Sequence, residues 1–169
     1  VYNAAVNCEK AKLIGLAVQM RQWLIKTKPD STLAKKAIYQ VGRNFQDIVV
    51  FDAAAEQFEV FAAKYPGEKE ASTALYTASF FRRGLGDNDK SVSDTNLFVK
   101  NYGARKEFID QAAGVNFGEG QIYEQAKDWD KLVSHLRKYL TNWGTKGGVD
   151  RQIIAHVKIA DKLWRESCP

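Results

Sequence analysis

The chain has 169 residues, 45% of them apolar and 27% charged, a balance that excludes a disordered tail and fits a folded domain or a short repeat array. Its apolar stretches are too brief to span a membrane as helices. The net charge of +5 resides in residues 1–50, where eight Lys and Arg face only Glu9, Asp30 and Asp47; they fall on differing helix faces without the aromatic-interleaved motifs of nucleic-acid modules, so no nucleic-acid partner is expected.

In chain order, the first helical pattern is Tyr2-x-x-Ala5-x-x-Cys8, followed by a second with Val18, Leu24 and Ile25 that stops at Pro29. Ala34-x-x-Ala37-x-Tyr39-x-x-Gly42-x-x-Phe45 starts the next unit, and Asp52 to Pro66 completes it with Phe61 and Tyr65 ahead of the proline. Ala71-x-x-Ala74-x-Tyr76-x-x-Ser79 repeats the former, and Asp89 to Gly103 repeats the latter with Phe98 and Tyr102. Phe117-x-x-Gly120-x-x-Tyr123 and Asp130 to Gly144, with Tyr139 and Trp143, form another copy, and Ala160-x-x-Leu163 a partial one. A small residue thus recurs at one helical position: Ala5, Gly42, Ser79, Gly120 and Ala160.

This recurrence has a physical reading. Each unit carries two apolar stripes of helical period joined by a short turn, hence a helix hairpin. The small residue lies where the two helices cross, and a longer side chain there would force their axes apart. The aromatics fill the space between layers, and the breaker ends the second helix before the next unit begins. One hairpin cannot bury its own apolar face, so hairpins stack. The expected fold is an all-α, right-handed superhelical solenoid of stacked antiparallel helix hairpins. Residues 1–169 form one array, with units at about 1–29, 30–66, 67–103 and 104–144 and a partial or capping unit at 145–169. A start at Val1 without Met, and an end just after an unfinished helical pattern, read as a segment of a longer protein. Cys8 and Cys168 stand at opposite ends of such a stack, farther apart than a disulfide spans.

No catalytic constellation is present. His135 and His156 have no Cys, Asp or Glu at metal-ligand spacing. Gly118-Glu-Gly120 lacks the strand and third glycine of a dinucleotide loop and belongs inside a helix hairpin. Asp87-Asn-Asp89-Lys-Ser91 has Val92 where a calcium loop needs glycine and Phe98 where it needs a bidentate acid. Asp87 reads better as a cap before the following helix. No enzyme, metal or cofactor is expected.

Gly42-x-x-Phe45, Ala54-x-x-x-Phe58 and Pro66 together resemble the tetratricopeptide family, which Gly120-x-x-Tyr123 and Leu136 match in part. Ser79, Arg82, Ser91 and Thr95 depart from the consensus in the third copy. The unit length and the Phe-x-x-Phe-x-x-Lys-Tyr-Pro type of ending are similar to bacterial envelope members: outer-membrane-assembly lipoproteins, Tol-Pal coordinators and gliding-motility arrays. The resemblance implies a periplasmic or outer-membrane-associated location. It also implies that the first helix of every pair lines a concave groove. The residue three before each small position, and those one and two turns on, then face a partner: Tyr2, Val6, Tyr39, Arg43, Gln46, Tyr76, Phe80, Arg83, Phe117, Gln121, Glu124, Val157, Asp161 and Trp164. The family's Lys and Asn carboxylate clamp is not carried over, because Tyr39 and Tyr76 occupy its places. The implied function is a non-catalytic protein–protein interaction scaffold that offers an aromatic-lined groove to a peptide or amphipathic helix. The alternative is an architectural spacer among adjacent repeats of a longer envelope or motility array.

Overall fold

The computed structural model describes residues 1–167; Cys168 and Pro169, and with them the expected distance between Cys8 and Cys168, lie outside the described residues. Among the described residues every regular element is helical. Contacts divide the chain into two compact units, Val1–Asp87 and a second that begins at Asn88.

The first unit holds α1 (Tyr2–Lys10), α2 (Ile14–Thr27), α3 (Thr32–Asp47), α4 (Phe51–Lys64) and α5 (Ala71–Gly84). Each packs on the next in sequence, as antiparallel hairpins. α2 ends two residues before Pro29 and α4 two before Pro66, because proline can neither donate the next helical hydrogen bond nor tolerate a helical residue ahead of it. Ser31 caps α3, its hydroxyl accepting from the Leu33 N–H at 3.1 Å. The helices meet largely through alanine: Ala17, Ala34, Ala37, Ala54, Ala55 and Ala74 are fully buried, which lets the axes approach closely. Ala5, Gly42 and Ser79, three of the recurring small residues, are buried as well. At Gly42 a Cβ would stand 2.7 Å from the Phe58 ring, so the crossing has no room for a side chain.

Each hairpin turns in the same way. The α1–α2 turn places Lys12 at φ 63°, the α3–α4 turn places Val49 at φ 64°, and the turn after α5 places Gly86 at φ 78°. In each, the left-handed residue donates to a carbonyl three back, and its successor donates five back: Leu13 to Cys8, Val50 to Phe45, Asp87 to Arg82. This is a Schellman cap, which satisfies the last carbonyls of the first helix. Val49 is the anomaly, since a β-branched side chain is strained at positive φ. It is exposed, so its removal forfeits little packing. Val49→Gly is therefore expected to raise stability by about 1 kcal/mol in urea unfolding, while Gly86→Val lowers it by a similar amount.

The second unit holds α6 (Asn88–Tyr102), a 3₁₀ turn (Lys106–Phe108), α7 (Ile109–Gly118), α8 (Gly120–Gln125), α9 (Trp129–Asn142), a second 3₁₀ turn (Gly144–Gly147) and α10 (Val149–Ser167). Lys127, at φ 55°, makes the same cap between α8 and α9, with Asp128 donating to Tyr123. Asp128 also caps α9 through the Lys131 N–H at 3.1 Å. Ala113, Leu132, Leu136, Tyr139 and Ala155 form a core, against which Phe117, Tyr123 and Trp143 pack.

The first helix of this hairpin is broken, whereas its pattern reads as continuous in the sequence. An unbroken helix would offer the Asn116 carbonyl to Gly120. Here that carbonyl accepts from the Glu119 N–H at 3.2 Å and from His135 Nε2–H at 2.9 Å, and Trp143 Nε1–H donates to Asn116 Oδ1 at 3.2 Å. A side chain inserted into the ladder is a recognised cause of such kinks. His135 is thereby committed to structure. Burial holds its pKa below the ordinary imidazole value, outweighing the bond to Asn116, and its Nδ1 stands 3.9 Å from the Glu119 carboxylate, beyond hydrogen-bonding reach.

Candidate functional site

In the first unit α1, α3, Phe61 of α4 and the turn leading into α5 enclose a hollow of about 440 Å³. Tyr2 and Tyr39, both expected groove residues, line it with Phe61 at its floor and Lys35, Lys36 and Glu68 at its rim. Tyr39 does two jobs. One side of its ring packs on Phe58 and Phe61, at centroid distances of 5.6 and 5.2 Å, and the other remains half-exposed towards the hollow. Lys35 reaches across to Glu68 at 2.6 Å and thus ties α3 to the turn before α5. The hollow therefore has an aromatic floor and a rim of balanced charge.

The remaining expected residues of this unit lie further along the same helices. Arg43 is exposed on α3. On α5, Tyr76 and Phe80 are exposed, and the Arg83 guanidinium stands 5.8 Å from the Phe80 ring centroid, within cation–π range. In the second unit, Gln121 is exposed, while Phe117 is half-buried and packs edge-on against Tyr139 at 5.1 Å. Glu124 pairs with Lys158 of α10 at 2.5 Å and borders a second hollow of about 340 Å³ with Trp129 and Arg165. His156 is exposed on α10.

The counting of helical positions did not single out Lys35, Lys36, Glu68 and Glu70, which also line the first hollow. Lys35 and Lys36 lie one turn before Tyr39 on α3, so the period that selects Tyr39 also reaches them. Glu68 and Glu70 sit in the turn between hairpins, where helical spacing carries no information.

Two buried arginines complete the picture of the first unit. Arg21 of α2 joins Glu9 of α1 at 2.7 Å and Asn44 of α3, and Asn44 Nδ2 donates to Glu9 at 2.6 Å. Burial raises the Glu9 pKa, but the bonds from Arg21 and Asn44 outweigh it and hold the carboxyl below its ordinary value. Arg82 of α5 is bound by Glu59 and Asp52 of α4. Both clusters lock neighbouring helices together.

No family model and no curated protein sequence matches the chain. Solved structures do match its fold. The TPR-like repeats of a Podosopora anserina kinesin light chain superpose with a TM-score of 0.56 at 11% identity, covering 97% of this chain and 83% of that one. MamA superposes with a TM-score of 0.53 at 12% identity, covering 96% of each chain. The fold is thus TPR-like, an all-α succession of helix pairs, and its structural neighbours are TPR-like repeat proteins.

Proposed function

We propose that the protein is a non-catalytic interaction module whose α1–α3–α5 face takes up a peptide or helix of a protein partner in a multi-protein assembly. TPR-like repeats generally serve as protein–protein interaction scaffolds. The observation that carries the reading is the hollow between Tyr2 and Tyr39, with its half-exposed rings and balanced rim. An aromatic floor offers area at low entropic cost to an apolar anchor residue, and rim charges of both signs can meet a peptide backbone and its flanking side chains. Arg43, Tyr76, Phe80 and Arg83 extend that face along α3 and α5. Within the second unit, Gln121 and Glu124 of α8 and Phe117 of α7 hold the repeat positions that correspond to these.

A displayed library of random peptides selected on the intact protein tests this. Enriched sequences are expected to share an aromatic or aliphatic anchor, and to bind about tenfold more weakly to Tyr2→Ala with Lys36→Glu. Both positions are partly exposed, so the double variant should melt like the parent. Tyr39→Ala is a poor probe alone, because loss of its contacts with Phe58 and Phe61 is expected to cost about 2 kcal/mol of stability. Selected peptides that bind the double variant undiminished would remove the groove from consideration.

A further inference from the structure

The hollow of the first unit has two unlike sides, and the helical spacing of α3 assigns a charge to each. Lys36, Gln40 and Asn44 follow one another at four-residue spacing, so they form one ridge of α3. Asn44 Nδ2 donates to Glu9 of α1 at 2.6 Å, which turns this ridge towards α1. Lys35 and Tyr39 form the neighbouring ridge. Lys35 meets Glu68, in the turn before α5, at 2.6 Å, and the Tyr39 ring packs on Phe58 and Phe61 of α4, so this ridge is turned the other way. Lys36 therefore lines the hollow on its α1 side, and Glu70, which directly precedes α5, lines it on the opposite side.

These two are the rim charges left over. Lys35 and Glu68 neutralise each other, whereas Lys36 and Glu70 are both exposed and, among the described residues, enter no ion pair. The Glu70 side chain does not cap α5 either. Between them lies the aromatic floor, and about 440 Å³ takes one large side chain together with the backbone that carries it.

We infer that the occupant is a peptide segment with one large apolar residue between an acidic residue and a basic one. The anchor sits on Phe61 and Tyr39, the acid meets Lys36 and the base meets Glu70. This rests on the reading of the hollow as a peptide site, and adds to it the identity of the residues that flank the anchor. Charge complementarity singles out this partner. Acids on both sides would press a carboxylate on Glu70, and bases on both sides would press a cation on Lys36. A nucleic acid or an anionic lipid surface, with one sign of charge throughout, meets the same objection. Both rim groups are open to water, so they set which sequence is preferred while the anchor supplies most of the affinity.

Selection of a displayed library of random peptides on the intact protein, and in parallel on two single-charge variants, tests this. The parent is expected to enrich an apolar anchor with an acid on one side and a base on the other. Lys36→Glu makes both sides of the rim negative and should enrich the same anchor between two bases. Glu70→Lys makes both positive and should enrich it between two acids. Each variant should bind the parent's peptide about fivefold more weakly. Replacing the acid of that peptide with alanine should weaken binding to the parent about threefold, and leave binding to Lys36→Met unchanged. Both positions are exposed, so circular-dichroism melts of the variants should stay close to the parent. An anchor enriched without flanking charges, or with the same charges on all three proteins, overturns the inference and leaves the peptide site standing. Enrichment of no anchor on any of them overturns both.

Discussion

Gly42→Leu is expected to cost about 3–5 kcal/mol and to lower the melting temperature by about 10 °C. The first atom added, Cβ, would stand 2.7 and 2.8 Å from two carbons of the Phe58 ring, and three further carbons would follow it. The ring cannot step aside, because Phe58 is itself buried and held against Tyr39. α3 and α4 must separate instead, opening the alanine-lined seam on both sides. Gly42→Ala should show the same sign at about 1–3 kcal/mol, although alanine is the better helix former. Gly15 in α2 supplies the contrast. A Cβ there meets nothing within 4 Å, so Gly15→Ala should stabilise by about 0.5–1 kcal/mol. Combining Gly42→Leu with Phe58→Ala should cost clearly less than the two separately, because the second change empties the space that the first invades. Thermal and urea unfolding of the five proteins reads all of this. Simple additivity would mean that the crossing at Gly42 is not what limits the approach of the two helices.

The crossing was legible in the sequence because it is a constraint of size. Where two helices touch, only a small residue fits, and the need returns in each hairpin, so Ala5, Gly42, Ser79 and Gly120 stand out against a varied background. The breakers at Pro29 and Pro66 were legible for a similar reason, since each acts on the backbone through its own chemistry. The turns within hairpins were not. They repeat as faithfully as the crossings, yet Lys12, Val49 and Lys127 take a left-handed conformation that only Gly86 advertises. The cap is held by backbone hydrogen bonds, which leave little trace in side-chain identity. The break at Glu119 escaped notice because it depends on His135, a residue of another helix, reaching the Asn116 carbonyl. Of the residues that line the first hollow, Tyr2 and Tyr39 are reached by counting along helices, while Glu68 and Glu70 come from a turn that counting cannot reach.

The buried arginines mark where the repeat was altered without being lost, and Arg82→Ala is the second change of large expected effect, about 3–5 kcal/mol. Arg82 stands where Phe45 stands in the preceding hairpin, three residues after the small position. Its side chain is only 2% exposed. Nε and Nη2 grip Glu59 at 2.5 and 3.0 Å as a fork, Nη1 bonds Asp52, and Asp87 stands 3.7 Å away. The fork to Glu59 raises the guanidinium pKa against the opposing pull of burial, so the charge persists at every pH the fold survives. Alanine would leave a cavity at the α4–α5 contact and strand the Glu59 carboxylate, which is mostly buried. Arg82→Met separates those two losses. It refills the volume, and Asp52, largely exposed, can turn to water. A cost of about 1–2 kcal/mol is expected for methionine, the remainder of the alanine penalty being the cavity. Asp52→Asn should change stability by less than about 1 kcal/mol, since that end of the cluster is open to solvent. Urea unfolding of the three variants orders them. If methionine proved as damaging as alanine, the charge itself would hold α4 to α5. If it proved more stable than arginine, the ion cluster would serve only to fix how the two helices are aligned.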